Sequence, residues 1–474
     1  MNRNRWTLVA VGLATFMTYL DNNIVNVAIP DIQRELGLST AGIEWVVSSY
    51  ILTFAGLLLA GGRLADAFGR RRLFLIGLAI FTASSLFAGL ATDATTLIAA
   101  RGLQGIGAAA VTPTTLAIIS ATFTDPRERN AAVGVWGGVG ALALAVGPVL
   151  GGLLTQHVSW EWIFWINVPF GIATIALGAW AIQESREDEA RGLDLAGLGL
   201  STVSLFALTW ALIEGHGRGW TSTAILSAFA VAALAALAFV AVERRVAEPM
   251  VDVSLFARRE FTGGIVALML WAFGLFGIYF FTSLYLQGVL GFSPTKAGAA
   301  FVPMAVLMAV SAVVSDRVAA RFGAYRSTGF GMLAMGLAIG SVSLLGADAS
   351  FWSLMPSFAV IGLAGGMTIP LTATVLGVMP TSQAGVASAV FNASREVAGL
   401  LGITVIGAVL TSRQGAALAD GKAPVDAFLT GYRSGLLLAG ALVMAGGVVA
   451  FTALRRAHHE ARVETSREDL VLAG

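Results

Sequence analysis

Apolar residues in this chain come in runs of about twenty, cut apart by short clusters of charge. Marking the runs predicts fourteen helices, at 7–29, 44–62, 73–91, 95–117, 131–153, 161–182, 194–213, 222–242, 261–288, 297–319, 327–346, 352–375, 383–411 and 432–454. A helix of roughly 20 apolar residues crosses a bilayer, so the 474 residues hold about fourteen spans with short loops and no separate soluble domain. The short alternating segments of a closed barrel are absent. Composition agrees: 57% of residues are hydrophobic, 12% are charged and the mean hydropathy is +0.80, whereas soluble domains carry about 25% charged residues. The expected fold class is an all-α polytopic membrane protein. The first run is too long for a cleaved signal and lacks a cleavage site after it, so it reads as a span.

Lys and Arg placement orients the spans. With the N-terminus in the cytoplasm, only Arg34, Arg218, Lys296, Arg413, Lys422 and Arg433 fall outside, and Arg101 and Arg395 lie within spans. The remaining basic residues fall inside, and the even helix count puts both termini in the cytoplasm. A net charge of +1 gives no reason to expect nucleic acid as a partner. Without cysteine there are no disulfides, thiolate metal sites or thiol catalysis. His157 and His216 fall in loops and His458 and His459 in the tail, so neither haem nor a histidine-held metal is expected in the membrane.

A weak internal repeat divides the chain. Arg63-Leu64-Ala65-Asp66-Ala67-Phe68-Gly69 meets Arg317-Val318-Ala319-Ala320-Arg321-Phe322-Gly323 at an offset of 254, and Arg101 to Gly105 meets Ile361 to Gly365 at 260. Two six-helix halves around a two-helix insert explain both offsets, the arrangement by which transporters build a midplane site between rocking halves. The boundaries expected are 1–185 and 256–456 for the halves, 186–255 for the insert and 457–474 for a charged tail. The insert carries little interior charge and reads as filler, and 412–431 reads as a long outer loop.

Within the first run, Asp21 is an ionisable carboxylate in the membrane. Such residues face a watery or protein-lined cavity, or a neighbouring helix satisfies them. Counting 1.5 Å per residue, Asp21 lies about 12 Å and Arg101 about 8 Å from the same end, so the two can pair if their helices are neighbours. Gln104 shares the Arg101 face. The other reading of Arg101 is snorkelling to the interface. Helix thirteen holds Asn392, Arg395 and Glu396, whose charges either neutralise an adjacent helix or make Glu396 a second protonatable site. In helix nine, Trp271, Phe273, Phe276, Tyr279, Phe280, Phe281 and Tyr285 either face lipid or form a surface on which aromatic ligands stack. Glycines permit a tight turn at 61–72, where Asp66 can lock two helices. Gly147-Pro148-Val149-Leu150-Gly151-Gly152 predicts a bent, closely packed stretch of helix five.

Together these motifs resemble the major facilitator superfamily, and within it the fourteen-helix drug:proton antiporter branch. Leu20 to Pro30 is similar to the branch's first-helix signature, Leu-Asp-x-Thr-Ile-Val-Asn-Val-Ala-Leu-Pro, and departs from it at Asn23 and Ile29. Gly62 to Arg72 resembles the cytoplasmic gating signature, with Ala67 in place of the usual basic residue. Leu97, Arg101, Gln104, Gly105, Gly107 and Ala108 resemble the helix-four motif tied to proton coupling. Gly147 to Gly152 resembles the antiporter motif, with Ala143 where an earlier glycine is expected.

The resemblance implies a non-enzymatic exporter of amphipathic drugs or antibiotics across the bacterial cytoplasmic membrane. It would need no cofactor, be driven by the proton gradient and work as a monomer. It implies proton coupling at Asp21, Arg101, Glu396 and Arg395, and a substrate cavity with Asn22, Asn26, Gln104, Asn392 and Trp271. It further implies a gate of Gly62, Asp66, Gly69, Arg70 and Arg71, and packing through Gly147, Pro148, Gly151 and Gly152. An exporter of a single metabolite or self-made antibiotic, and a lipid flippase on the same scaffold, are the alternatives within transport. A membrane enzyme or sensor would need a polar catalytic cluster or a soluble output domain, and neither is found.

Overall fold

In a computed structural model of the chain, which describes residues 3–187, 192, 194–377, 379 and 384–455, each predicted run is mainly helical, with a turn at 367–369 inside the run 352–375 and the helix of the run 327–346 ending at Val342. The tail 457–474 lies outside the described residues. The helices of the first half are α1 (Arg3–Leu36), α2 (Thr40–Phe68), α3 (Arg70–Gly89), α4 (Ala94–Thr122), α5 (Pro126–His157), α6 (Trp162–Trp165) and α7 (Asn167–Ala181), the last two forming one span. The insert is α8 (Leu195–Arg218) and α9 (Thr223–Glu243). Then follow α10 (Arg259–Leu284), prolonged by a π-helical turn at Tyr285–Val289, α11 (Pro294–Phe322), α12 (Ala324–Val342), α13 (Phe351–Gly366), α14 (Pro370–Gly377), α15 (Ala384–Ala419) and α16 (Pro424–Ala453). Thirteen of these spans are long and apolar enough to cross a membrane; α12 makes the fourteenth by position, packed against α13 and α16.

Side-chain caps set where the helices begin. Ser39, Asp93, Asp125, Ser222 and Ser293 each accept from a backbone N–H in the first turn of the following helix, satisfying donors that no helix can pair internally. The stretch 412–431 departs from expectation: α15 runs to Ala419 and α16 starts at Pro424, leaving 420–423 as the connection. Proline fits the first turn of a helix, where its missing N–H is no loss.

The repeat is exact in register for one helix pair. α2 and α11 each have 29 residues and differ by 254 at both ends, and each closes on a glycine at positive φ, Gly69 (106°) and Gly323 (91°). For α4 and α13 the sequence register is one turn off. Gly105 lies on the Tyr50 carbonyl of α2, and the residue on the equivalent Met304 carbonyl of α11 is Gly362, an offset of 257. A three-residue slip along a Gly- and Ala-rich helix keeps small residues at the contact, so composition alone does not register it. The correction places Phe358 opposite Arg101, and Phe358 stacks on Phe301 with ring centres 5.5 Å apart. A charged core in one half is an aromatic core in the other.

Helix pairing repeats likewise: α2 with α4 and α11 with α13, α1 with α5 and α10 with α15. The halves meet through α2 against α15 and α5 against α11. Among the described residues, three hydrogen bonds between the halves lie at the end away from Asp66, Gln287 Nε2 to the Val27 carbonyl (2.8 Å), Thr295 Oγ1 to the Gly152 carbonyl (3.2 Å) and Thr295 N to Gln156 Oε1 (3.2 Å), and a fourth, Arg395 Nη2 to Tyr19 Oη (3.5 Å), lies near mid-span. Gly152 stands on the Pro294 carbonyl and Gly298 on that of Pro148, so the glycines of 147–152 serve contact between halves as well as packing on Asn23 and Ile24 of α1. Toward the Asp66 end the same helices part, and Gly134, Gly137 and Gly138 of α5 have nothing within 4 Å of a Cβ position. The insert is more than filler: α8 packs on both α2 and α15 and covers their junction, with Trp45 Nε1 donating to Glu214 (3.2 Å) and Gly415 against His216.

A leucine at Gly152 would press on the Pro294 backbone, which cannot turn aside. Overpacking of this kind costs about 1–3 kcal/mol, so Gly152→Leu should open the seam. Because the chain lacks cysteine, Ala41→Cys and Ser412→Cys give a unique label pair across the α2–α15 junction, which parts together with α5–α11 when the halves move as rigid bodies, and an unchanged distance distribution would count against the seam's dependence on this contact.

Candidate functional site

Two polar sites lie near mid-span, and they are separate. The first is inside the first half, where α1, α2, α3, α4 and α7 converge. Asp21 and Arg101 are both fully buried and form an ion pair through Asp21 Oδ2 and Arg101 Nη1. Snorkelling of Arg101 is thereby excluded. Asp21 Oδ1 accepts from Gln104 Nε2 (3.1 Å) and Asn167 Nδ2 (3.0 Å). Gln104 is fixed in turn by Arg101 Nη1 (2.8 Å) and Ser85 Oγ (2.6 Å). Arg101 Nε donates to the Val46 carbonyl of α2 (3.2 Å), and the guanidinium lies 4.4 Å from the centre of the Tyr50 ring. Among the described residues its Nη2 has no partner. A buried pair repays its desolvation only with such a set of additional hydrogen bonds, and one donor here stays unspent.

The second site is a cavity of about 410 Å³ between the halves. It is walled by α1, α2 and α5 on one side and by α10, α11, α13 and α15 on the other. Asn22, Asn26, Trp271, Arg395 and Glu396 line it; Asp21, Arg101, Gln104 and Asn392 do not. Asp21 and Asn22 are neighbours on α1, and consecutive helical positions point to different faces, so the carboxylate turns into the bundle while the amide turns to the cavity. Asn392 bonds the Ser388 carbonyl of its own helix (2.9 Å). Arg395 reaches back to its neighbour, Nη2 to Glu396 Oε1 at 2.7 Å and Nε at 3.1 Å, and to Tyr19 Oη at 3.5 Å. The two charges therefore neutralise each other and not an adjacent helix. Glu396 Oε2, Trp271 Nε1 and Asn26 Oδ1 are buried without partners among the described residues.

The aromatic residues of α10 divide. Trp271, Phe276 and Tyr279 line the cavity, while Phe273, Phe280, Phe281 and Tyr285 are buried in their half. None of these seven is exposed, so lipid contact does not account for them. Sequence reasoning missed Tyr19, Asn23 and Trp136 in the cavity and Ser85 and Asn167 beside Asp21. Asn167 had a readable signal, a lone amide within the apolar run 161–182.

At the far end, Gly69 turns α2 into α3. Arg70 binds Asp66 Oδ1 from Nη2 (2.8 Å) and Nε (3.1 Å), and Arg71 N donates to Glu184 (3.0 Å). The segment after α7 is held here too, with Glu187 N on the Asp66 carbonyl (3.1 Å). Gly62 packs on Pro113 of α4. Arg63 of the same turn donates to the carbonyls of Gly192, Glu248 and Pro249, so the turn is tied to the insert as well as to its own half.

Comparison with known proteins agrees with this architecture. The Major Facilitator Superfamily profile matches residues 11–403. The puromycin resistance protein of Streptomyces alboniger is 36% identical over 458 residues, 95% of this chain and 91% of that one. A multidrug resistance protein of Mycobacterium tuberculosis is 36% identical, covering 87% and 77%. The tetracenomycin C resistance and export protein of Streptomyces glaucescens is 35% identical, with the same shares. Among solved structures, an inward-facing bacterial homologue of the human lysosomal transporter Spinster aligns with a TM-score of 0.68 at 18% identity, over 96% and 98% of the chains. A chain with this helix order, this repeat and these relatives is a multi-pass transport protein of bacterial type and not an enzyme: it belongs to the Major Facilitator Superfamily.

Proposed function

We propose that the protein exports small amphipathic compounds, antibiotics among them, from the bacterial cytoplasm in exchange for protons. The observation that carries this reading is the cavity between the halves: largely apolar, aromatic, shut at one end, and adjoining a fully buried carboxylate. Pockets of this kind bury apolar ligands and orient them by a few polar groups, here Asn22, Asn26, Arg395 and Glu396. Names of relatives support drug export. The basic loops at the Asp66 end make it cytoplasmic, so the seam is shut on the outside and the cavity faces inward.

In this reading a proton on Asp21 removes one charge of the buried pair. Arg101 then loses its counter-ion, while its Nε keeps hold of α2 through the Val46 carbonyl. Protonation thus bears on α2, which also forms the seam with α15 and the Asp66 turn. A ligand can shift that equilibrium only by as much as it prefers one state, and drug binding in the inward cavity favours the deprotonated return outward. Relatives named for single antibiotics favour a second reading, export of one compound.

Purified protein in weak buffer tests both: added compounds should release protons, and an imposed pH gradient should drive uptake of the same compounds into proteoliposomes. Release by one compound alone selects the dedicated exporter. No release and no response to the gradient would sink proton exchange.

A further inference from the structure

Besides Asp21, the first half carries another buried carboxylate, on the seam itself. Glu44 lies in the second turn of α2, 2% exposed, with its carboxylate against Gly407 of α15. Any side chain at 407 would occupy the same space. No hydrogen-bond donor and no cation reaches the Glu44 carboxylate among the described residues, in contrast to Asp21, which has three donor groups. The charged and titratable groups on the elements packed around it are otherwise engaged or turned away. On α8, Glu214 holds Trp45 and Arg218, and His216 lies on Gly415. On α1, Asp31 pairs with Arg34 and Asp21 with Arg101 of α4; Tyr19 meets Arg395. On α15, Arg395 binds Glu396, and Arg413 is exposed beyond the seam. Asp93, the cap of α4, bonds Thr96.

We propose that Glu44 is a second proton-binding site, occupied when the outer seam is shut and emptied when it opens. An ionised carboxylate enclosed without a partner is strongly disfavoured, whereas the neutral acid is tolerated. Closing α2 on α15 therefore takes up a proton from the outer side, and opening returns Glu44 to water. The segment 44–50 of α2 joins this to the other sites: Glu44 in the seam, the Val46 carbonyl on Arg101, Val47 on the cavity and the Tyr50 ring on Arg101. The inference rests on the alternating motion assumed above but not on any transported compound.

The sign follows from linkage: acid favours the shut seam, alkali the open one, and a single coupled proton moves the ratio by up to roughly tenfold per pH unit. The experiment measures the Ala41→Cys/Ser412→Cys label distance against pH in vesicles, without added compound. It uses an Asp21→Asn/Glu396→Gln background, so that only the remaining groups respond. The expected result is a short distance at low pH that lengthens as pH rises. Adding Glu44→Gln should hold it short throughout, and Glu44→Asp should restore the response, which a purely structural role would not do. A pH response that survives Glu44→Gln overturns the proposal, and so does its absence from the Asp21→Asn/Glu396→Gln protein. Since no drug is present, failure here leaves drug–proton exchange to be judged by proton release alone.

Discussion

Asparagine in place of Asp21 is expected to abolish gradient-driven efflux while compounds still bind. Asp21 does not line the cavity, so removing its charge should change Kd by less than about threefold, under 1 kcal/mol. Coupling is another matter, because an amide cannot take up and release a proton. The substitution also has a structural consequence. Asp21 Oδ1 accepts from two amide groups, Gln104 Nε2 and Asn167 Nδ2. An asparagine that keeps its oxygen toward Arg101 turns an NH₂ group on those two donors. Gln104 cannot simply flip, since its Oε1 is held by Arg101. Leaving buried donors unmatched costs about 1–3 kcal/mol, which should appear as a lower melting temperature. Wild-type gradient-driven transport by Asp21→Asn would leave Asp21 as structural glue between α1 and α4, the other reading its sequence allows. Loss of both binding and folding would not separate the two, so Asn167→Ala, which removes one donor and leaves the carboxylate, is the companion variant. It should retain coupled transport.

What could be read from the sequence divides along physical lines. A bilayer imposes length and apolarity on every span, so fourteen helices were legible from runs alone. The Asp21–Arg101 pair was legible because helical rise fixes depth, and two opposite charges at one depth seldom both face lipid. Its completion by Asn167 and Ser85 was not, because it depends on which way α3 and α7 turn within the bundle. Glu44, the first residue of the run 44–62, carries no signal of its own in the sequence; only contact with α15 and cover of the α2–α15 junction by α8 make it buried. The stretch 412–431 reads as a loop because Asp420, Lys422, Pro424 and Asp426 suggest solvent, whereas charged residues on a protruding helix meet solvent equally well and most of the stretch is helical. The resemblance implies a place in the cavity for Asn392, which also lies one turn from Glu396, and its bond to the helix backbone shows that a shared face does not guarantee a shared cavity.

Removing Arg395 should change which compounds the cavity holds. Its guanidinium is bound to Glu396 Oε1, and these two are the charged side chains among the cavity lining. The lining is therefore neutral overall, with aromatic walls at Tyr19, Trp136, Trp271, Phe276 and Tyr279. Such a cavity should not strongly prefer a cation to its uncharged isostere. Arg395→Gln keeps most of the side chain's bulk and leaves Glu396 without its counter-charge, with Oε2 already unpartnered. Hydrogen bonds and ion pairs to a buried carboxylate are worth about 1.5–3 kcal/mol, so the affinity ratio of a cation to its neutral isostere should rise by roughly ten- to a hundredfold. Matched quaternary-ammonium and tert-butyl compounds, titrated against both proteins, give that ratio directly. Adding Glu396→Gln to the variant should return it to the wild-type value, because the preference then has no carboxylate to act through. An unchanged ratio in Arg395→Gln would mean that bound compounds lie away from α15 and that the pair braces the helix. A rise that persists in the double variant would point instead to aromatic rings as the source of cation preference, with Trp271 and Tyr279 of α10 the residues to replace next.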